Sequence, residues 1–192
     1  MDEFTEKLTR IFLLINDWLK YAEAKNAFML AFSGAGITAT VTYLSTASSG
    51  NPPKSLWIGI IIATCFLCLT SLICATSFLP KTNLEYIVWR KAKPSNKSKD
   101  LPQDTDNLYY FKHLFKYKPE ELIEALNHFY FDDKFSIQGK KEYLDIANQI
   151  VINSEITLLK FKMFTFSLWS LIVAIVVTPI TVLVSLIVFH AI

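Results

Sequence analysis

The chain has 192 residues, 52% hydrophobic and 19% charged, with 19 basic and 17 acidic residues for a net charge of +2. The length suits one ordinary domain, but the composition is too apolar for a purely soluble one. So even a charge balance gives no bulk attraction to nucleic acid, and no nucleic-acid polymer is expected as a partner.

The charges are sharply partitioned. None occurs from Asn26 to Pro53, from Ser55 to Pro80, or from Met163 to Ile192. A helix needs about 20 consecutive apolar residues to cross a bilayer core, and each of these stretches is longer. The chain is therefore read as a multi-pass membrane protein.

In chain order, Phe4, Leu8, Ile11, Phe12, Ile15, Leu19 and Ala22 recur at three- and four-residue steps, with Glu6, Lys7, Arg10, Asp17 and Lys20 between them. That pattern predicts an amphipathic helix over Asp2 to Lys25. No Pro or Gly stops it before the first apolar stretch, so one helix of over about 40 residues, roughly 60 Å long, is expected. Mixed charge precedes this stretch where a signal peptide would have a short basic leader, so cleavage is not expected.

The first span holds only six Leu, Ile, Val or Phe between Phe28 and Leu44 and is otherwise rich in small residues. Ala27, Ala31, Ala35 and Ala39 form a ridge of the small-xxx-small type that lets another helix approach closely, either within the chain or from a second copy. Leu56 to Leu79 holds twelve such apolar residues, worth roughly −4 to −7 kcal/mol of insertion free energy, and Met163 to Phe189 holds seventeen. Cys65, Cys68 and Cys74 all fall in the second stretch and read as small apolar residues.

Lys93 to Pro102 is rich in turn formers and charge and reads as a loop. The aromatic run Leu108 to Tyr117 needs burial. Lys118-Pro119-Glu120-Glu121 opens a helix expected to end near Phe131, with Pro in the first turn and acids at the positive end of the dipole. From Lys140 to Lys162, Tyr143, Ile146, Ala147, Ile150, Ile156 and Leu159 form a second amphipathic helix leading without Pro or Gly into the last span. Pro179 lacks a backbone donor, so a kink is expected inside that span.

The resulting fold class is an all-α membrane protein. An amphipathic helix (1–26) continues into span one (27–46); an external loop (47–55), span two (56–79), a mostly helical cytoplasmic domain (80–160) and span three (163–189) complete the chain. Lys and Arg cluster before span one, after span two and before span three, while the loop between spans one and two has only Lys54. The positive-inside rule therefore places the N-terminus and Lys81 to Lys162 in the cytoplasm.

Nothing in the sequence forms a catalytic constellation. The five glycines make no phosphate loop, and His113 and His128 have no partner at metal-ligand spacing. No catalytic residue, metal or cofactor is expected. Polar residues do gather where the amphipathic helices meet the spans: Trp18, Glu23, Lys25 and Asn26 before span one, and Asn153, Ser154 and Glu155 before span three. They read either as interfacial anchors and interhelical hydrogen-bonding groups or as a coupling junction.

Three segments also carry a resemblance: Trp18-Leu19-Lys20-Tyr21-Ala22-Glu23-Ala24-Lys25-Asn26-Ala27, Leu108-Tyr109-Tyr110-Phe111, and Asn153-Ser154-Glu155-Ile156 with Lys160-Phe161. With the order of two spans, a cytoplasmic segment and a last span, the chain resembles the transmembrane effectors of bacterial Pycsar antiphage systems. Glu155 departs from that pattern, where a basic residue is expected. The resemblance implies a non-enzymatic effector in the bacterial inner membrane, whose functional partner is a pyrimidine cyclase. It also implies activation by a cyclic pyrimidine mononucleotide, cUMP or cCMP, and abortive infection through damage to the lipid bilayer. Such a ligand has one phosphate charge and a flat base, so a receptor needs cations and aromatic surface. Arg90, Lys112 and Lys116 with Tyr110 and Phe111 supply these types, and a homo-oligomer is expected. The competing reading is an adaptor or structural membrane protein that recruits a cytoplasmic partner. A transporter ranks third, because the spans carry no charge to couple transport.

The topology is directly testable. Reporter fusions at Asn51 and Asn96 should fall on opposite sides of the membrane, and the same side for both would overturn the assignment.

Overall fold

The computed structural model describes residues 2–47, 53–79, 101–136 and 140–190, with side chains described to Val188. Arg90, most of the 93–102 loop and the centre of the 47–55 loop lie outside the described residues. The helices are α1 (Glu3–Ala47), α2 (Lys54–Ser77), the short α3 (Phe111–Leu114), α4 (Pro119–Phe131) and α5 (Lys141–His190). Among the described residues there are no strands, and α1, α2 and α5 are each long and apolar enough to cross a membrane. An all-α membrane protein is thus what the chain forms.

The chain divides into two compact units, Met1–Ala22 with Pro80–Phe161 and Glu23–Leu79 with Lys162–Ile192. Helices α1 (45 residues) and α5 (50 residues) each contribute residues to both without interruption. α5 also continues past Pro179, whose missing N–H removes one ladder bond.

The first unit has a core of the kind built in water. Phe4, Leu8, Ile11 and Ile15 of α1 pack with Leu108, Phe111, Leu114 and Tyr117, with Leu122, Ile123 and Leu126 of α4, and with Tyr143, Ala147 and Ile150 of α5. The three- and four-residue spacing of the α1 set is the stripe visible in the sequence. On α5 the stripe differs from the expected one. After Ile150 it passes through the buried Ser154 and Thr157, while Ile156 and Leu159 are only half-buried. Helical phase decides this: a residue seven positions after Ala147 returns to the same face whatever its polarity.

α4 starts as its sequence requires, with the Lys118 amide donating to the Glu121 carboxylate at 3.1 Å and Pro119 in the first turn. It stops at Asp132 and Asp133, both in the left-handed region at φ 49° and 58°, which Asp tolerates better than most residues. The buried Asn127 then clasps the returning chain. Its amide donates to the Phe135 carbonyl (2.9 Å) and its oxygen accepts from the Phe135 N–H (3.2 Å). This brings the Phe131 and Phe135 rings to within 5.4 and 5.5 Å of Phe4.

The second unit has a different interior. Met29, Leu67, Cys74, Leu171 and Ala174 form its apolar centre, and small residues let the helices close on it. A Cβ at Gly36 would lie 3.1 Å from Leu67, and one at Gly59 would overlap the Thr181 side chain. Cys74 is packed inside, whereas Cys65 and Cys68 face outward.

A polar clasp joins the two ends of the first unit's long helices. The Asp2 carboxylate accepts hydrogen bonds from the Thr5 amide (2.8 Å), the Tyr143 hydroxyl and Lys140 (3.1 Å). The Tyr143 hydroxyl, the Thr5 amide and Lys140 together hold the Asp2 carboxyl well below its ordinary value of 3.8. A depressed folded-state value means that Asp2 stabilises the fold fully above the unfolded value and loses that contribution as pH falls below it. Thermal melts of the full chain in detergent should therefore lose stability as pH drops below about 4, and Asp2→Asn should flatten that slope. Equal slopes for both proteins would rule the clasp out as a stabilising contact.

Candidate functional site

Polar and aromatic side chains gather in two regions, one in each unit. In the first unit, the 103–117 segment folds around Asp106, whose carboxylate is 3% exposed and bonds the Lys116 ammonium at 2.7 Å and the Gln103 amide at 3.0 Å. Burial acts to raise this carboxyl, but the Lys116 contact, the Gln103 amide and the His113 charge outweigh it and hold it below its ordinary value. Nearby, burial and the Asp106 charge push the Tyr117 phenol up to about 12.

The sequence-derived ligand residues take distinct places here. Lys116 is engaged with Asp106, Lys112 is exposed on α3, and Tyr110 is half-buried. Phe111 is buried, and its ring stacks on Phe161 (5.2 Å between centroids, 11° between planes) and meets Trp18 at 5.7 Å and Tyr110 at 4.8 Å. Arg90 lies outside the described residues. One aromatic cluster therefore connects α3 to Trp18 on α1 and to Phe161 on α5, the last α5 residue of this unit.

The coupling candidates divide between the units. Trp18, Asn153, Ser154 and Glu155 belong to the first, and Glu23, Lys25 and Asn26 to the second. Asn153 donates to the Asn16 side chain at 2.8 Å, joining α5 to α1. Ser154 is buried, and its hydroxyl finds no partner among the described residues; Glu155 is exposed. In the second unit Asn26 is buried, Glu23 is half-buried, and the Lys25 ammonium lies 5.1 Å from the centre of the Phe164 ring.

The membrane unit contains a seam of hydroxyl groups that the sequence reading passed over. The Ser33 and Ser71 hydroxyls are 2.7 Å apart, Thr70 donates to the Ser167 carbonyl at 3.4 Å, and Ser170 donates to the Phe66 carbonyl at 2.9 Å. These bonds link α1 to α2 and α2 to α5. The signal was present as Ser and Thr at helical spacing inside otherwise apolar runs, which marks the face turned away from lipid. The ridge Ala27, Ala31, Ala35 and Ala39 is exposed along its whole length, so no described residue of the chain covers it.

Among the described residues, no group of three or more His, Cys, Asp or Glu could hold a metal ion. Helices α1, α2 and α5, with a separate aromatic-rich helical unit, define a membrane protein. A family model described as the Pycsar effector protein domain matches residues 7–189, and the chain belongs to that family. It is a transmembrane effector of the Pycsar antiviral defence system, tied to a Pycsar cyclase, in a family of membrane effectors not known as enzymes. No curated protein and no solved structure matches the chain.

Two adjacent polar groups of α5 make opposite predictions. Ser154→Ala removes a hydroxyl that has no partner among the described residues and should leave stability unchanged or raise it by up to about 1 kcal/mol. Asn153→Ala leaves Asn16 without its donor and should cost about 0.5–1.5 kcal/mol. Chemical denaturation of the two variants decides it; a Ser154→Ala loss as large as that of Asn153→Ala would show that Ser154 is bonded after all.

Proposed function

We propose that this effector is switched on by a cyclic pyrimidine mononucleotide, cUMP or cCMP, made by the pyrimidine cyclase of its system, and that it then impairs the bacterial inner membrane and causes abortive infection. The observation that carries the reading is that α1 and α5 each help build both a water-type core and a membrane bundle without a break. The N-terminus and the first unit are cytoplasmic by the charge asymmetry of the sequence, and the spans are 27–46, 56–79 and 163–189.

In this reading the first unit is the receptor. Lys112 is exposed and can meet the phosphate, Tyr110 supplies a stacking face for the base, and Lys116 and Arg90 add positive charge. Phe111 relays binding, because a change at its ring is felt at Trp18 and Phe161. A ligand shifts a conformational equilibrium only by the difference in its affinity for the two states, so the activated state must present these groups better than the resting one. Trp18, Glu23, Lys25, Asn26, Asn153, Ser154 and Glu155 are the coupling residues along the two continuous helices. In the membrane, the hydroxyl seam is the part whose opening admits water, and the exposed alanine ridge is the face on which copies assemble.

Titrating the purified full chain with the four common cyclic mononucleotides tests the receptor step. A pyrimidine nucleotide should bind, and Tyr110→Ala should weaken it by about 5- to 150-fold, the worth of one base–aromatic stack. Two glycines inserted between Phe161 and Lys162 should keep that binding while abolishing ligand-triggered dye release from vesicles, because they interrupt α5 and rotate its membrane-spanning part by about 200°. Failure of all four nucleotides to bind would overturn the receptor reading in favour of an adaptor. An insertion protein that still releases dye would overturn the coupling.

A further inference from the structure

Lys7 is placed differently from the paired cations of the first unit. Arg10, Lys20, Lys116, Lys118 and Lys140 each lie against a carboxylate, whereas the half-buried Lys7 has no acid within ion-pair distance among the described residues. Its ammonium rests on two tyrosine rings instead, 4.1 Å from the centre of Tyr130 and 4.9 Å from that of Tyr109. Those rings are 6.0 Å apart and meet at 75°, so they form a corner in which the cation sits.

Three separate parts of the unit build this corner. Lys7 comes from the start of α1, Tyr130 from the last turn of α4, and Tyr109 from the turn before α3, where the Asn107 side chain accepts the Tyr109 amide at 2.9 Å. Tyr130 is 41% exposed, so the corner opens to solvent. Burial and the neighbouring Tyr109 push the Tyr130 phenol up against the opposing pull of the Lys7 charge, so at neutral pH its hydroxyl stays protonated and can donate. A ring face attracts a cation without neutralising it. Lys112, by contrast, is exposed on α3, where water screens its charge and an ion pair gains little. The rings exclude water from part of Lys7, so an anion there meets a stronger field.

We infer that the phosphate of the activating nucleotide is held by Lys7, in the corner of Tyr109 and Tyr130, in place of Lys112. Tyr109 directly precedes Tyr110, so the phosphate site and the stacking face for the base lie on one stretch of chain. Each feature of the ligand then has its own partner: the single negative charge meets a partly desolvated ammonium, and the flat base meets an aromatic ring. A nucleoside, which lacks the phosphate, gains nothing from Lys7. The inference rests on the nucleotide reading and names the cation of that receptor site.

Titration of the purified full chain with cUMP, cCMP, uridine and cytidine tests it. Lys7→Met keeps the length and apolar packing of the stem but removes the charge. It should weaken cyclic nucleotide binding about 10- to 150-fold, the worth of one hydrogen bond to a charged group, and leave nucleoside binding unchanged. Lys7→Arg, which retains charge and ring contact, should bind nearly as the unsubstituted chain does, and Lys112→Met should lose at most about fivefold. Circular dichroism and thermal melts check that each variant is folded, and Lys7→Gln is the second charge-free variant should Lys7→Met fail to fold. A loss for Lys7→Met no larger than for Lys112→Met would overturn the inference while leaving the receptor reading in place. Equal losses of nucleotide and nucleoside binding would make Lys7 a structural staple and overturn it too. Failure of the unsubstituted chain to bind either cyclic nucleotide would overturn the receptor reading itself, and the inference with it.

Discussion

A helix that continues from water into lipid must satisfy two solvents with one backbone, and this requirement shapes α1 and α5. Both helices continue through the two units with a single ladder bond lost, at Pro179 of α5, so nearly all of the backbone is satisfied in either medium. What changes along each helix is the kind of side chain. In the first unit α1 presents Phe4, Leu8, Ile11 and Ile15 inward and Glu6, Arg10, Asp17 and Lys20 outward; in the second it is apolar almost all round, and its inward residues are Asn26, Met29 and Ser33. α5 makes the same change in the same order along its length, with Tyr143, Ala147 and Ile150 in the first core and Leu171 and Ala174 in the second.

The two cores are consequently held by different forces. The first buries large aliphatic and aromatic side chains away from water, where each fully buried one contributes about 1.5–3 kcal/mol. Asp2, Asn127 and Asp106 then fix its loops and ends through several hydrogen bonds each. In the bilayer that driving force is absent, because lipid tails are as apolar as the packed side chains. The second unit depends on close approach at Gly36 and Gly59 and on the Ser33–Ser71, Thr70–Ser167 and Ser170–Phe66 bonds. Such bonds average about 0.6 kcal/mol in membrane interiors. A bundle assembled from small increments is easier to rearrange than the aliphatic core, which suits a membrane effector.

Phe111 has a particular position in this arrangement. Its ring lies against both Trp18 and Phe161, one on each of the two long helices, and next to Tyr110 at the start of α3. Aromatic pairs of this kind contribute about 0.5–1.5 kcal/mol beyond their area. Three elements remote in sequence therefore share one cluster, and a displacement of α3 acts on α1 and α5 together.

Much of this organisation was legible in the chain itself. Charge-free runs longer than a bilayer is thick marked three apolar helices, since a charge there is costly wherever the helix packs. The 3.6-residue period marked the amphipathic stretches of α1 and α5, and the Pro-Glu-Glu start set where α4 begins. The resemblance carried by Ala22-Glu23-Ala24-Lys25-Asn26-Ala27 pointed to the family. Packing partners were not legible, because they depend on which faces meet. The sequence could not show that the stripe on α5 runs through Ser154 and Thr157, since a hydroxyl on a core face looks like a surface residue until phase is known. Nor could it show that Lys116 is paired with Asp106, ten residues away, or that Ala27, Ala31, Ala35 and Ala39 face outward while Ser33 and Gly36 meet the neighbouring span. Periodicity determines which residues share a face; only the tertiary structure decides what that face touches, because that choice is made by contacts between segments far apart in the chain.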